Sequence, residues 1–192
     1  MSRFELNLAK FLILSIPIFL ITGAFLADLA LSTACILFLI YIVRKRQFNL
    51  FKDNYFIFFL LFYTIVLISC FQSDYLDKIF WKNIFYFRFG IFLLLVKHII
   101  YNDEKFIKNL KNILLLIFIL LFADSLFQFI VGKNILGFTH PSGRITSLFG
   151  DESVLGSYIV RFCPLLIALI FLTKGNKYEF FLILSLSFIL SV

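Results

Sequence analysis

The residues best able to do chemistry stand together in one polar stretch, GRITSLFGDESVLGSY, at positions 143–158. Arg144 carries a planar guanidinium group that binds phosphate oxygens in pairs. A new apolar run begins near Leu155, and the backbone N–H groups at the start of a helix form a second anion site. An arginine and a helix start on one loop would together suit a pyrophosphate group.

Structural roles are the alternative for the polar residues of this stretch. Asp151 and Ser153 are favourable helix N-caps, and acidic residues suit the positive end of the helix dipole, so we expect one of the two to cap the following helix. Arg144 could instead contact lipid head groups at the membrane surface. The Pro-Ser-Gly turn at 141–143 is expected to constrain the loop, and Gly150 is expected to permit a bend.

Other polar residues lie inside apolar runs or close to this loop. Arg88 stands about one turn inside an apolar run, where it could bind a phosphate or extend to the head groups. Asp124 and Gln128 are four residues apart and share a helix face, so they either line a polar cavity or hold their helix to a neighbour. His140 has an unperturbed pKa suited to a general base, but we favour a plain loop role for it.

The elements that must position these residues are membrane-spanning helices. Of the 192 residues, 62% are hydrophobic, 20% aromatic and only 15% charged, which soluble domains do not show. The net charge of +7 does not indicate nucleic-acid binding, because the Lys and Arg residues stand between apolar runs. We predict an all-α, polytopic membrane bundle in contact with lipid. The sequence has no zinc or nucleotide motif, so we expect no metal and no cofactor.

Taking about 20 residues per span, the chain divides into six complete apolar runs and a partial seventh. Their predicted bounds are 11–27, 29–43, 55–71, 84–100, 113–131, 155–173 and 180–192. The first two runs are barely separated, so residues 23–28 must form a tight outer turn, and one long tilted or re-entrant element is the alternative.

The last run is well short of a complete span. We therefore expect residues 1–192 to form a single transmembrane domain that is the N-terminal half of a longer protein. A short terminal helix that only dips into the bilayer is the alternative.

Orientation follows from the positive charge of the connecting segments. With the N-terminus inside, the inner segments hold twelve of the eighteen Lys and Arg residues, as the positive-inside rule requires. This topology places the polar loop at 132–154, with its Arg144 motif, on the outer side. This topology depends on the tight turn near Asp28. If residues 11–43 formed one element instead of two spans, every later segment would be assigned to the opposite side of the membrane.

The chain resembles the N-terminal half of the O-antigen ligase and polymerase family, multi-spanning bacterial enzymes that handle lipid-linked surface polysaccharide. The resemblance is carried by GRITSLFGDESVLGSYIVRFCPLL, in which an arginine, a phenylalanine and an acidic turn lead directly into a transmembrane helix. The short N-terminal spans and the basic inner loop RKRQ support it. The hydropathy is similar over the whole chain, whereas the motif covers about two dozen residues.

The resemblance implies a metal-independent glycosyl transfer on the periplasmic side of the bacterial inner membrane. A glycan is carried on undecaprenyl pyrophosphate, and a hydroxyl group of a glycan or lipid acceptor displaces the pyrophosphate lipid. Arg144 matches the family arginine that would stabilise the leaving pyrophosphate, with Arg88 and Arg161 as secondary candidates. Asp151 or Glu152 would orient the acceptor or the arginine.

The resemblance does not separate a ligase from a polymerase. The large outer loop of the family would follow Val192, so the chain by itself is expected to be inactive. Two other functions stay open: a transporter or flippase of lipid-linked sugar, and a non-catalytic membrane subunit.

Overall fold

The computed structural model describes residues 3–71, 80, 83–139, 144–150, 152–175, 178–179 and 183. Within this part of the chain there are six α-helices and no strands. The helices are α1 (Arg3–Thr22), α2 (Ala24–Lys45), α3 (Asn54–Phe71), α4 (Phe87–Asn102), α5 (Glu104–Val131) and α6 (Leu155–Leu172). Two short 3-10 helices, Phe48–Lys52 and Ser147–Phe149, complete the described elements.

The prediction of an all-helical, multi-pass membrane protein is confirmed. Four helices are long and apolar enough to cross a bilayer, namely Phe4–Thr22, Ala24–Lys45, Glu104–Val131 and Leu155–Leu172. Six complete spans were predicted, and α3 and α4 are the two that are not among these four helices. The bounds of α3 are close to those predicted, whereas a turn at 85–86 delays the start of α4. The partial run at 180–192 lies outside the described residues except for Ile183.

The chain packs as two compact units. Unit 1 comprises Met1–Ser15 and Asp28–Asp103, and unit 2 comprises Ile16–Ala27 and Glu104–Val192. The 132–154 loop therefore belongs to unit 2.

The break between α1 and α2 is a single residue, Gly23, with a φ of +151°. This φ is rarely adopted by residues with a side chain. Arg44, in the last turn of α2, forms an ion pair of 3.0 Å with Glu5, in the first turn of α1. The two helices therefore run antiparallel. The tight turn is present, but α2 already begins at Ala24.

Among the described residues, five ion pairs join helices or their connecting segments within the units. They are Lys10–Asp103, Arg44–Glu5, Lys97–Asp53 and Arg88–Asp28 in unit 1, and Lys111–Glu179 in unit 2. Each pair joins two residues that the charge-based topology places on the same side of the membrane. The pairs therefore agree with the predicted alternation of the spans, including the turn before Asp28.

In unit 1, α3 and α4 pack closely at Gly90. A Cβ atom added there would collide with the aromatic ring of Phe59 and press against Phe56. Glycine thus permits the approach of the two helices, because a larger residue would force the rings or the backbone to move.

Gly90→Ala is expected to destabilise the protein by about 1–3 kcal/mol, since it overpacks this contact. The measurement is thermal unfolding of the purified protein in detergent. Gly156→Ala is the matched control, because a Cβ at Gly156 meets no atom within 4 Å. Equal unfolding temperatures for the two variants would show that the Gly90 contact does not limit packing.

Candidate functional site

The Arg144 loop of unit 2 connects α5 to α6, whose apolar faces form the core beneath it. The buried core includes Leu114, Phe118, Leu121, Leu166, Leu169 and Ile170. Two more buried apolar residues, Phe149 and Leu155, lie close to the α6 end of the loop. The loop is therefore anchored to the core just before α6 starts.

A fully buried glutamine holds the middle of the loop. Gln128, on α5, is 0% exposed. Its Oε1 atom accepts hydrogen bonds from the backbone N–H groups of Thr146 and Ser147, at 3.0 and 2.7 Å. Its Nε2 atom lies 3.2 Å from the hydroxyl oxygen of Thr146. One side chain thus satisfies three polar groups of the loop inside a membrane protein, where unsatisfied groups are costly.

The carboxyl group of Asp124 holds the loop at two further points. Its Oδ1 atom accepts a hydrogen bond of 2.9 Å from the backbone N–H of Ile135, and its Oδ2 atom accepts one of 2.9 Å from the Ser147 hydroxyl. Asp124 is 1% exposed and Ser147 is 0% exposed. Asp124 and Gln128 therefore share a helix face as predicted, and their partners are in the loop.

Asn134 connects the two described segments of the loop, 133–139 and 144–150. Its Nδ2 atom donates to the carbonyl oxygen of Ser147 at 2.6 Å, and its Oδ1 atom accepts from the N–H of Phe138 at 2.8 Å. Asn134 is buried, whereas Ile135 and Leu136 at the tip are exposed. The segment at 133–139 thus folds back on itself, and Asn134 links it by a hydrogen bond to the segment at 144–150.

Ser147 adopts a φ of +51°, which is uncommon for a residue with a side chain. Gly150, three residues later, has a φ of +66° and provides the expected bend. Positive φ angles persist where the surroundings hold the backbone in place. The hydrogen bonds of Asp124, Gln128 and Asn134 supply that constraint.

Arg144 lies on this loop, two residues before Thr146, and is exposed. The described part of the chain offers its guanidinium group no hydrogen bond and no ion pair. Glu152 is also exposed. Two other predicted site residues, His140 and Asp151, lie outside the described residues, as does the turn at 141–143.

The start of α6 tests the capping prediction only for Ser153, because Asp151 lies outside the described residues. The N-cap residue is Val154, and no described side chain caps the first turn through a hydrogen bond. Capping by Ser153 is therefore wrong, because backbone bonds from Glu152 N–H to Phe149 and from Val154 N–H to Glu152 turn the chain before the helix begins. Gly156 in the first turn is exposed. The first N–H groups of α6 are thus left without a side-chain partner from the described residues.

The other two candidate arginines are separate from this loop network. Arg161 is exposed on α6. Arg88, at the start of α4 in unit 1, holds the Asp28 carboxyl group with both Nη atoms, and its Nη1 atom also lies 3.1 Å from the Ser32 hydroxyl oxygen. Arg88 is therefore already engaged by an acidic partner, in contrast to Arg144.

Comparison with known proteins does not identify the chain. Searches of protein-family models, of curated proteins and of solved structures all find no match. The argument for function thus rests on the geometry of the loop and on the short motif around Arg144.

Three residues of the loop network were not singled out by the sequence: Asn134, Thr146 and Ser147. A signal was available, because each is a polar residue beside apolar neighbours in a segment that must cover the end of a membrane helix. The same argument that singled out Asp124 and Gln128 extends to them, since buried polar groups in a membrane protein need partners.

The arrangement can present an exposed cation next to a backbone segment held by buried hydrogen bonds. The loop backbone near Arg144 is held by buried bonds, whereas the guanidinium group itself is exposed. Such a site is suited to binding an anion at the protein surface, because the protein does not need to reorganise as the ligand arrives.

Proposed function

We propose that this chain is part of a membrane enzyme that transfers or polymerises undecaprenyl-pyrophosphate-linked glycan. In this proposal it lies in the bacterial inner membrane with a cytoplasmic N-terminus, and the Arg144 loop faces the periplasm. The observation that carries the proposal is an exposed arginine that has no hydrogen-bond or ion-pair partner among the described residues, on a loop fixed by buried hydrogen bonds. The excess of positive charge on the opposite side supports this orientation.

Arg144 has the chemistry that this reaction needs. The acceptor hydroxyl oxygen forms a bond to the anomeric carbon and loses its proton to a neighbouring carboxylate or to water, and the bond from that carbon to the pyrophosphate oxygen breaks. Negative charge develops on the leaving pyrophosphate, and the guanidinium group stabilises it with paired N–H donors. The first N–H groups of α6, which have no side-chain partner among the described residues, contribute further donors to an anion near the loop.

In this proposal the carboxyl groups of Glu152 and Asp151 bind the acceptor of the glycan. Glu152 is exposed just before the start of α6, where its carboxyl group can accept a hydrogen bond from an incoming hydroxyl group. Asp151, its neighbour in sequence, is proposed for the same role.

Arg144→Ala is expected to lower glycan transfer by about 100-fold to 1,000-fold, as losing one preorganised donor to a developing anion does. The measurement is transfer from a purified undecaprenyl-pyrophosphate-linked donor, with the complete product of the gene in proteoliposomes. Arg144→Lys keeps the charge but loses the paired geometry, so its transfer is expected to be intermediate.

Lys133→Ala is the control, because Lys133 is an exposed cation of the same loop. Membrane insertion of all three variants should equal that of the unaltered protein. Normal transfer by Arg144→Ala would refute the proposed role of the arginine. Absence of transfer by the unaltered protein, together with flipping of the lipid-linked sugar in vesicles, would indicate a transporter.

A further inference from the structure

Unit 1 contains a cavity of 480 Å³ at the start of α4, lined by Asp28, Phe85, Tyr86, Arg88 and Phe89. The Arg144 loop belongs to the other unit, unit 2. The charge-based topology places the start of α4 and the turn before Asp28 at the outer surface. The cavity is therefore expected at the depth of the lipid head groups.

The two charged residues of the cavity balance one another. The Nη1 and Nη2 atoms of Arg88 bind the two carboxyl oxygens of Asp28. The Asp28 side chain is nevertheless 52% exposed, so its oxygens can accept further hydrogen bonds. A cavity with one positive and one negative group favours a ligand that also carries both charges.

One donor of Arg88 has no acceptor. Its Nε atom is buried and forms no hydrogen bond. The N–H groups of Nε and Nη2 point in the same direction along one edge of a guanidinium group, which is an edge that binds phosphate oxygens in pairs. A phosphate oxygen that reached this edge would satisfy a donor that the protein leaves unpaired.

The aromatic residues of the cavity supply a surface for a cation. Phe85, Tyr86 and Phe89 are 63%, 50% and 38% exposed. The guanidinium carbon of Arg88 lies 5.4 Å from the ring centre of Phe89, and the Tyr86 ring packs against Phe89 with the ring centres 5.5 Å apart. The exposed parts of the Phe85 and Tyr86 rings offer the surface for an ammonium group. Aromatic residues are also enriched where proteins meet the head-group layer.

We propose that this cavity binds the phosphoethanolamine head group of a membrane lipid. The ammonium group donates hydrogen bonds to Asp28 beside Tyr86, and the phosphate accepts from Nη2 and, as the guanidinium group turns, from Nε of Arg88. An anionic lipid lacks the group that Asp28 requires. A choline head group has no N–H to donate to the carboxyl oxygens. This proposal does not rest on the proposed glycan transfer.

The test is lipid retention by the purified protein, measured by native mass spectrometry after addition of phosphatidylethanolamine, phosphatidylcholine or phosphatidylglycerol with identical acyl chains. Phosphatidylethanolamine is expected to be retained at about tenfold lower concentration than either other lipid, which corresponds to one additional charge-assisted hydrogen bond. Equal retention of the three lipids would overturn the proposal.

Asp28→Asn is expected to remove this preference, and Asp53→Asn is the matched control. Asp53 also pairs with a cation in unit 1, namely Lys97, but does not line the cavity. Tyr86→Ala leaves the Arg88–Asp28 pair in place and is expected to weaken retention of phosphatidylethanolamine severalfold, by removing an aromatic wall. An unchanged preference in both cavity variants would overturn the proposal.

A last measurement distinguishes a membrane lipid from a soluble compound with the same head group. Free phosphoethanolamine at millimolar concentration is expected not to displace the lipid, since it lacks acyl chains that bury apolar surface. Displacement at that concentration would overturn the assignment of a lipid ligand and would indicate a soluble phosphoethanolamine compound.

Discussion

Gln128→Leu is expected to release the Arg144 loop from α5. The substitution keeps a side chain of similar size but leaves the buried N–H groups of Thr146 and Ser147 without their acceptor. Each unsatisfied buried donor costs about 1–3 kcal/mol, so the loop should lose about 2–6 kcal/mol of local stability. That loss is large relative to the stability of most proteins.

Hydrogen–deuterium exchange of the detergent-purified protein measures this release directly. The amides of Thr146 and Ser147 are protected by Gln128 itself, so their exchange should accelerate at least about tenfold, the change expected from 1.4 kcal/mol. Amides inside α2, which belong mostly to unit 1, should exchange as before. The result concerns the fold of the loop and holds whether or not the protein transfers glycan.

Gln47→Leu is the matched control for this substitution. Gln47 is exposed, and its side chain accepts one hydrogen bond, from the Tyr41 hydroxyl group. Its replacement should leave exchange in the 132–150 segment unchanged. Unaltered exchange at Thr146 and Ser147 in Gln128→Leu itself would mean that the loop is held by other contacts, and the preorganisation argument for Arg144 would lose its basis.

The positions of the helices follow from hydropathy. A segment that crosses a bilayer needs a long apolar run, and its backbone N–H and C=O groups must bond to one another within the helix. The break at Gly23 was expected from two runs with almost no residues between them. The start of α4 was not, since it depends on the turn at 85–86, which average hydropathy does not report.

The loop network was predictable only in part. Asp124 and Gln128 stood out because polar groups inside an apolar run must find partners. Their partners were not predictable. Ser147 lies 23 residues beyond Asp124 in the sequence, and it forms its hydrogen bond with Asp124 while its own backbone adopts a positive φ. Hydrophobic periodicity contains no information about such a turn.

The Arg88–Asp28 pair shows the same limit. The topology placed both residues on one side of the membrane, which is a requirement for their contact. The two residues are 60 positions apart, and nothing in the local sequence of either one indicates the other. Long-range pairing of this kind is set by how α2 and α4 pack within unit 1.

Asp124 offers the sharpest distinction between a positioning residue and a catalytic one. Asp124→Leu removes the acceptor of the Ile135 N–H and the Ser147 hydroxyl group, both in the loop. The Ser147 hydroxyl group can still donate to the carbonyl oxygen of Leu121, so one donor, the Ile135 N–H, loses its acceptor, at a cost of about 1–3 kcal/mol. We expect a clear fall in the thermal unfolding temperature of the detergent-purified protein, together with faster amide exchange at Ile135.

Asp124→Asn should behave differently. The amide oxygen of asparagine can still accept the hydrogen bond from Ile135, and its NH₂ group can donate to the Ser147 hydroxyl oxygen, which keeps its own donor for the carbonyl oxygen of Leu121. Stability and glycan transfer should therefore both stay close to those of the unaltered protein. If Asp124→Asn abolished transfer while stability was retained, the carboxyl group itself would take part in the reaction, and Asp124 would have to be counted among the reacting groups.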